Sequence, residues 1–581
     1  MLTSFTCLLW LLPLSSAGLV EHWFEIGWTS GAPDGFNRSV MAVNGTWPPP
    51  IIFATIGDRI VVHATNKMQD QGTSLHFHGL FQNGTNAMDG PVGVTQCGIP
   101  PGHSMTYNFT VEQPGLYWWH SHSSGQYPDG LRAPLLISDP DEPFIDDWAE
   151  EMVLSISDWY HDPMEALIPT FLNLANPSGV EPVPNSALLN DTQNLTIPVE
   201  ANKVYKINMV NVGAFAGQYV WIPGIKLTVI EVDGVYTQKV NASSIYLASA
   251  QRYVFLATFP AGRNYPIVTS MDETMFDIVP DGLNPNATGW FVTDPSLPNP
   301  APPLTDFADV MNDMSLQAFD GMELLSNPDT AFSLDVLMNN LGNGINYAFF
   351  SGNTYVAPKV PTLMSVLSTG ANATQAEIYG SNAGVHFMEP GQVVEVVLNN
   401  NDPGRHPFHL HGRNFQVVAR SGAQDQYHRG GWVPGSKVPN APAIPMRRDT
   451  IVLEPYGYAV LRYVADNPGV WFFHCHVEWH MLQGLEATFI ESPFEIQAKQ
   501  HVPADSYANC RAQGLPIKGN AVGNTGARIM DLTGEDLPPP SLPAGFTAKG
   551  IVAMVFCVLS AFLGCGSLVL YGLAEVELPS S

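Results

Sequence analysis

One strand signature occurs twice in this chain of 581 residues, and it constrains the fold more than any other feature. Gly57-Asp58-Arg59-Ile60 opens an apolar run that ends at Asn66 and leads to His76-Phe77-His78. Gly391-Gln392-Val393-Val394 opens a second run, ending in Asn, that leads to His406-Pro407-Phe408-His409-Leu410-His411. Each copy is followed by another His-bearing strand, PGLYWWHSH at 114–122 and PGVWFFHCH at 468–476. A unit that recurs with its order intact marks the first and last parts of the chain as related β-sandwiches, each presenting two such strands. Further runs rich in Val, Ile, Tyr and Phe recur between turn residues, near 210 and 255 among others, at the spacing of sandwich strands. With 51 Gly, 49 Pro and only 13% charged residues, helical bundles, coiled coils and disorder are disfavoured.

Proline-rich stretches suggest the boundaries. DPDEP at 139–143 closes a first domain over 19–140, and DPSLPNPAPPL at 294–304 separates a second, 141–300, from a third, 301–495. After Ser492 strand character fades, and DLPPPSLPAG leads us to expect an extended stalk over 496–549. Residues 1–18 read as a secretory signal, with an apolar stretch from Leu8 to Leu14 and Ala17 placed for cleavage. Nine N-x-Ser/Thr sequons between Asn37 and Asn372 suit a glycosylated product of that route. Residues 550–573 form a charge-free run long enough to span a bilayer, followed by a short tail, 574–581. The expected location is therefore a cell membrane, single-pass, with the N-terminal ectodomain outside. A net charge of −29 repels phosphates and argues against nucleic acid as a partner.

Of the six cysteines, Cys7 leaves with the signal and Cys557 and Cys565 fall in the span. Cys475 is flanked by histidines and better employed as a ligand, so Cys97 and Cys510 are the expected disulfide.

Ten of the 17 histidines lie in four motifs: His76/His78, His120/His122, His406/His409/His411 and His474/His476/His480. In a strand, residues i and i+2 share a face and i+1 takes the other, so His474 and His476 point one way and Cys475 the opposite way. One short segment thus touches two metal sites. A thiolate with two imidazoles is the copper electron-transfer set, and the eight remaining histidines suit a cluster of imidazole-bound metals. Structural zinc favours four ligands at compact spacings and has no redox use for such a cysteine.

These motifs, in order and separation, resemble those of the multicopper oxidases over nearly the whole ectodomain. The resemblance implies an all-β fold of three cupredoxin-like Greek-key sandwiches plus a C-terminal transmembrane helix. It implies four copper ions, one type 1, one type 2 and two type 3, with O2 as acceptor. By motif, His406, Cys475 and His480 would hold the type 1 copper, with Leu485 at the axial position where some members have Met. His76 and His409 would be type 2 ligands, and His78, His120, His122, His411, His474 and His476 would hold the type 3 pair. Asp89 and Glu478 occupy positions where the family delivers protons to oxygen; orienting a ligand histidine is the competing role.

Among subfamilies, TSLHFHGLFQNGT (73–85), residues 346–370, PMRRDT (445–450) and FTAKGIVAM before the span resemble the fungal iron-transport ferroxidases. There, three carboxylates beside the type 1 site bind Fe²⁺, matched here by Glu181, Asp277 and Asp402. A laccase-like oxidase of phenols or pigment precursors, taking a small aromatic donor, is the alternative. An iron permease in the same membrane is the partner that the ferroxidase resemblance implies, although the cytoplasmic tail is shorter than is usual there.

Overall fold

The structure, a computed structural model, describes residues 18–302, 309–542 and 545–574. The signal segment before Gly18 and the tail after Ala574 lie outside the described residues.

Among the described residues, six sheets form three pairs. In the first pair, Arg38–Val43, Leu19–Gly31, Arg59–Asn66 and Ser104–Thr110 are neighbours in that order, and the companion sheet runs Ile52–Thr55, Arg132–Ser138, Gly115–His120, His76–His78. The second and third pairs each join a six-stranded to a five-stranded sheet. A long opening strand runs parallel to the strand of the repeated signature or its counterpart in every pair. These are Leu19–Gly31 with Arg59–Asn66, Glu150–Trp159 with Val204–Asn211, and Thr330–Asn340 with Val393–Asn400. The internal repeat therefore reports a real structural equivalence.

Edge-facing strands such as Ser104–Thr110 alternate between buried and exposed residues, as one-sided packing requires. The His-bearing strands do not: Gly115–His120 and Gly469–Cys475 are buried at every position. Their two faces serve different cores. Tyr117 and Trp119 pack in the core of the first sandwich, whereas Leu116 and Trp118 join the core shared by the second and third. On the other strand Trp471, Phe473 and Cys475 belong to that shared core, while Val470 and Phe472 face the first sandwich. Burial of each such aromatic contributes roughly 1.5–3 kcal/mol relative to exposure, so the register is strongly held. The even-numbered sets continue outward into His120/His122 and His474/His476, and those residues consequently meet at the junction of the first and third sandwiches.

The expected stalk is corrected over its first half. The helix Pro493–Lys499 straddles its start and Ala504–Ala512 lies within it, the second packing on the first sandwich. Cys510 is bonded to Cys97 with a Cα separation of 5.2 Å, Thr106 N–H donates to Asp505 Oδ2 at 2.8 Å, and Gln513 Nε2 donates to Gly98 O at 2.7 Å. Two such short helices carry little pattern of their own. Their docking comes from a covalent bond and long-range hydrogen bonds, which local periodicity does not encode. Irregular chain follows from Leu537, and Leu542 N–H donates to Gly342 O at 2.8 Å.

The C-terminal helix runs Ala548–Leu573, with Thr547 Oγ1 accepting from Gly550 N–H at its start. Its 26 residues span about 39 Å at 1.5 Å per residue, and its side chains are exposed, with a mean hydropathy of 2.3 over the most apolar window. It is the one candidate membrane span among the described residues.

Candidate metal centres

His406–Leu410 and Gly469–Cys475 are antiparallel neighbours, with Phe408 opposite Cys475 and His409 opposite His474. The pairing sends one residue of each strand toward a thiol centre and its neighbour toward a histidine cluster. At the thiol centre, Cys475 Sγ lies 3.4 Å from His480 Nδ1 and 3.8 Å from His406 Nδ1, and those two nitrogens are 3.0 Å apart. Cys475 is fully buried; its N–H donates to the carbonyl of Leu485, itself fully buried.

The eight other motif histidines gather on the opposite face. His122, His411 and His474 converge, with His474 Nε2 at 3.4 Å from His122 Nε2 and 3.2 Å from His411 Nε2. The rings of His78, His120 and His476 lie 5.1 to 6.0 Å apart between centroids. His76 and His409 are 6.0 Å apart between them, and their nitrogens group with that of His411.

Hydrogen bonding at the outer nitrogens shows whether these rings suit a metal. His76 Nδ1 donates to Asp89 O at 2.7 Å, His120 Nδ1 to Ser121 O at 2.9 Å, His409 Nδ1 to Asp449 O at 3.0 Å and His474 Nδ1 to Cys475 O at 2.9 Å. A carbonyl only accepts, so each bond fixes the proton on Nδ1 and leaves Nε2 with a free lone pair. His76 Nε2, His120 Nε2, His409 Nε2 and His78 Nδ1 are buried without a protein partner, as are both nitrogens of His476. Buried polar atoms normally find partners. Neutral imidazoles with one nitrogen tied back and the other aimed into a shared space are what a metal ligand requires. Burial, followed by the neighbouring imidazoles, holds His78, His120, His122, His411 and His476 well below the usual histidine range. His474 is pushed down to about 3 by the same causes. A protonated cluster is thereby disfavoured at neutral pH. Copper fits both donor sets: soft thiolate with imidazole at one, imidazole alone at the other.

Five acids were expected near these centres. Asp89 is fully buried; its Oδ2 lies 2.9 Å from His411 Nδ1 and its carbonyl accepts from His76. It thus orients two rings. Glu478 is buried with Oε1 unpartnered, and burial raises its carboxyl to about 8. Glu181, Asp277 and Asp402 line one cavity of about 470 Å³ together with His480. Glu181 Oε1 is 3.1 Å from His480 Nε2, and Asp402 Oδ2 is 3.1 Å from His406 Nε2. Burial, with Asp402 nearby, raises Glu181 to about 7. Asp402 is opposed by its own burial, but its hydrogen bond from His406 brings it below the ordinary carboxylate range.

Sequence reading missed Asp449 and Arg252. Asp449 sits in the PMRRDT segment noted only for its resemblance, and its Oδ1 lies 3.3 Å from His78 Nε2 and 3.4 Å from His409 Nδ1. Arg252 forks onto its two oxygens at 2.7 and 2.6 Å. No local motif announces an arginine 197 residues away.

Sequence models of the multicopper oxidase family match residues 25–142, 150–296 and 355–495. The chain is 51% identical to the iron transport multicopper oxidase fetC of Epichloe festucae, over 97% of this chain and 90% of that one. It is 44% identical to the iron transport multicopper oxidase FET3 of Saccharomyces cerevisiae, with 97% and 90% covered. Among solved structures, Fet3p, described as a multicopper oxidase that functions in iron import, superposes with a TM-score of 0.87 at 41% identity, covering 90% of this chain and 100% of the other. The laccase of Botrytis aclada gives 0.75 at 28% identity, with 86% and 92% covered. The three paired sheets are accordingly cupredoxin-like, and the chain belongs to the multicopper oxidases, a family whose cofactor is copper.

Proposed function

We propose that this oxidase takes its electrons from Fe²⁺ and that Glu181, Asp277 and Asp402 bind the iron. The observation that carries this reading is the pair of contacts from Glu181 to His480 and from Asp402 to His406. Each runs from a wall of the acidic cavity, through one imidazole, to the nitrogen that faces Cys475. The relatives named for iron transport support the same donor.

In this reading His406, Cys475 and His480 would hold the type 1 copper, with the buried Leu485, whose carbonyl accepts from Cys475 N–H, beside them. His76 and His409 hold type 2, and the type 3 pair divides between His78, His120, His476 and His122, His411, His474. Bound copper supplies a one-electron acceptor at the thiolate and the site of four-electron O2 reduction at the cluster. Overall, four Fe²⁺, one O2 and four protons become four Fe³⁺ and two waters. Hard carboxylate oxygens favour Fe³⁺ over Fe²⁺ and so make the iron a better reductant. Asp402, ionised in the resting protein, supplies the first charge for the incoming cation. Glu181 gives up its proton as the cation binds. Asp89 orients His76 and His411, and Glu478 holds a proton close to the cluster at neutral pH. We read the sheet pairs as domains over 19–140, 141–300 and 301–495, held outside the membrane by the C-terminal span, with an iron permease as the recipient of Fe³⁺.

The test compares steady-state oxidation of Fe²⁺ and of a phenol by the parent and by a variant with Glu181, Asp277 and Asp402 all changed to Ala. Iron turnover should fall more than tenfold while phenol turnover holds or rises. Poor iron turnover in the parent, with nothing specific to iron lost in the variant, would establish the laccase-like reading instead.

A further inference from the structure

The middle sandwich contributes none of the histidines assigned to copper, yet one of its side chains reaches the cluster's edge. Arg252, in the strand Arg252–Thr258, is fully buried where the three sandwiches meet. Its Nε donates to Leu116 O at 3.0 Å, on the strand that carries His120. Its two terminal nitrogens donate to the two oxygens of Asp449, on the third sandwich. Asp449 in turn faces His78 Nε2, from the first sandwich, and His409 Nδ1, from the third.

We propose that Arg252 is a positioning residue for the copper cluster, acting through Asp449 to hold the rings of His78 and His409 in their ligating orientations. The inference rests on the copper assignment above.

Three observations support it. First, His78 is turned the opposite way from His76: its Nε2 meets Asp449 and its Nδ1 is the free atom, whereas His76 leaves Nε2 free. Asp449, with Thr450 Oγ1 at 3.4 Å on the same nitrogen, is the charged partner that distinguishes them. Second, space beside His78 is reserved for the pair. The next residue is Gly79, with a φ of +89°, and a Cβ there would come within 2.6 Å of Arg252 Nη2 and 2.9 Å of Asp449 Oδ2. Third, Asp449 cannot keep its role alone. Its other contacts are Thr450 Oγ1 at 2.8 Å and the two imidazoles at 3.3 and 3.4 Å, all neutral groups. A fully buried carboxylate without a cation is strongly disfavoured, so without Arg252 it would turn away, and its acceptance from His78 Nε2 would end.

A purely structural account is available, because Arg252 begins a buried ladder. Asp233 approaches Arg252 at 3.7 Å and binds Arg448 at 2.8 Å, and Arg448 binds Asp313 at 3.0 Å. Arg448 is as deeply buried as Arg252 and ties the same two sandwiches, but it pairs with Asp233 and Asp313 rather than with Asp449. It is therefore the matched control.

The experiment prepares Arg252→Met, Arg252→Lys and Arg448→Met in the full chain, and measures copper per protein, the blue absorption of type 1 copper and the type 2 electron paramagnetic resonance signal. Arg252→Met should lose copper from the cluster, with 10- to 100-fold weaker binding there and an altered or absent type 2 signal, while its blue band persists. Arg252→Lys restores the charge without the fork; it should recover copper while keeping shifted type 2 parameters, and it serves if the Met variant does not fold. Arg448→Met should keep the parental type 2 signal. Full copper with unchanged type 2 parameters in both Arg252 variants would overturn the proposal, and so would equal copper loss in Arg448→Met and Arg252→Met. Failure of the underlying copper assignment is read separately, as a parent that shows neither blue band nor type 2 signal.

Discussion

Cys475 and His474 are adjacent residues whose side chains leave the same strand in opposite directions: the thiol lies 3.4 Å from His480 Nδ1, and the imidazole lies 3.2 Å from His411 Nε2. Two centres are thereby joined by one peptide unit on one side, and by His476 on the other. In the proposed function, electrons entering at Cys475 would have a short covalent path to the histidine cluster. Cys475→Ser should abolish the blue band and all oxidase turnover while the cluster keeps its copper. Copper analysis with visible spectroscopy and oxygen uptake checks this; residual oxygen uptake in a copper-loaded variant would show a second route for electrons.

Single substitutions in the acidic cavity should separate binding from electron delivery. Glu181 Oε1 lies 3.1 Å from His480 Nε2, whereas Asp277 is exposed on the wall of the same cavity. Glu181→Ala should lower kcat for Fe²⁺ about tenfold or more, equivalent to about 1.4 kcal/mol per tenfold, whereas Asp277→Ala should chiefly raise KM. Steady-state kinetics with Fe²⁺ at varied concentration decides, and identical kcat and KM changes in the two variants would contradict the division.

Removing the Cys97–Cys510 disulfide opens a loop of 413 residues. On the chain-entropy account its loss costs up to about 6 kcal/mol. A Cys97→Ala/Cys510→Ala variant should melt lower, and proteolysis should cut first within the segment that follows Ser492, which the bond pins to the first sandwich. Differential scanning calorimetry and peptide mapping measure both effects.

Glu231 supplies a pH-dependent element at the contact of the first two sandwiches, where it accepts from Leu116 N–H at 3.0 Å. Burial, only partly offset by Lys206, raises its carboxyl to about 7 from the ordinary 4.5. The folded protein therefore holds this proton in a range where the unfolded chain has released it. Its contribution to stability is complete below pH 4.5 and is lost as pH rises through 7. Glu231→Gln, neutral throughout, should gain on the parent across that window by at most about 3 kcal/mol. Melting temperatures of both proteins between pH 4.5 and 7.5 test it, and a constant difference would exclude Glu231 as the source.

Much of this protein is legible in the order of its residues because a strand has a period of two. That period alone separates Cys475 from His474 and His476, pairs His120 with His122, and, repeated in two copies, marks related sandwiches. Length and apolarity likewise announce the candidate span at Ala548–Leu573. Folding decided the rest. Glu181 meets His480 across 299 residues and Asp449 meets His78 across 371. Which nitrogen of each imidazole is free depends on carbonyls and carboxylates delivered by other strands, and the helices after Ser492 pack where a stalk was expected. Local periodicity specifies the face on which a side chain emerges. It carries no information about what a distant strand brings to that face, because that is settled only when the buried surfaces of three sandwiches close together and each buried polar atom must find its partner.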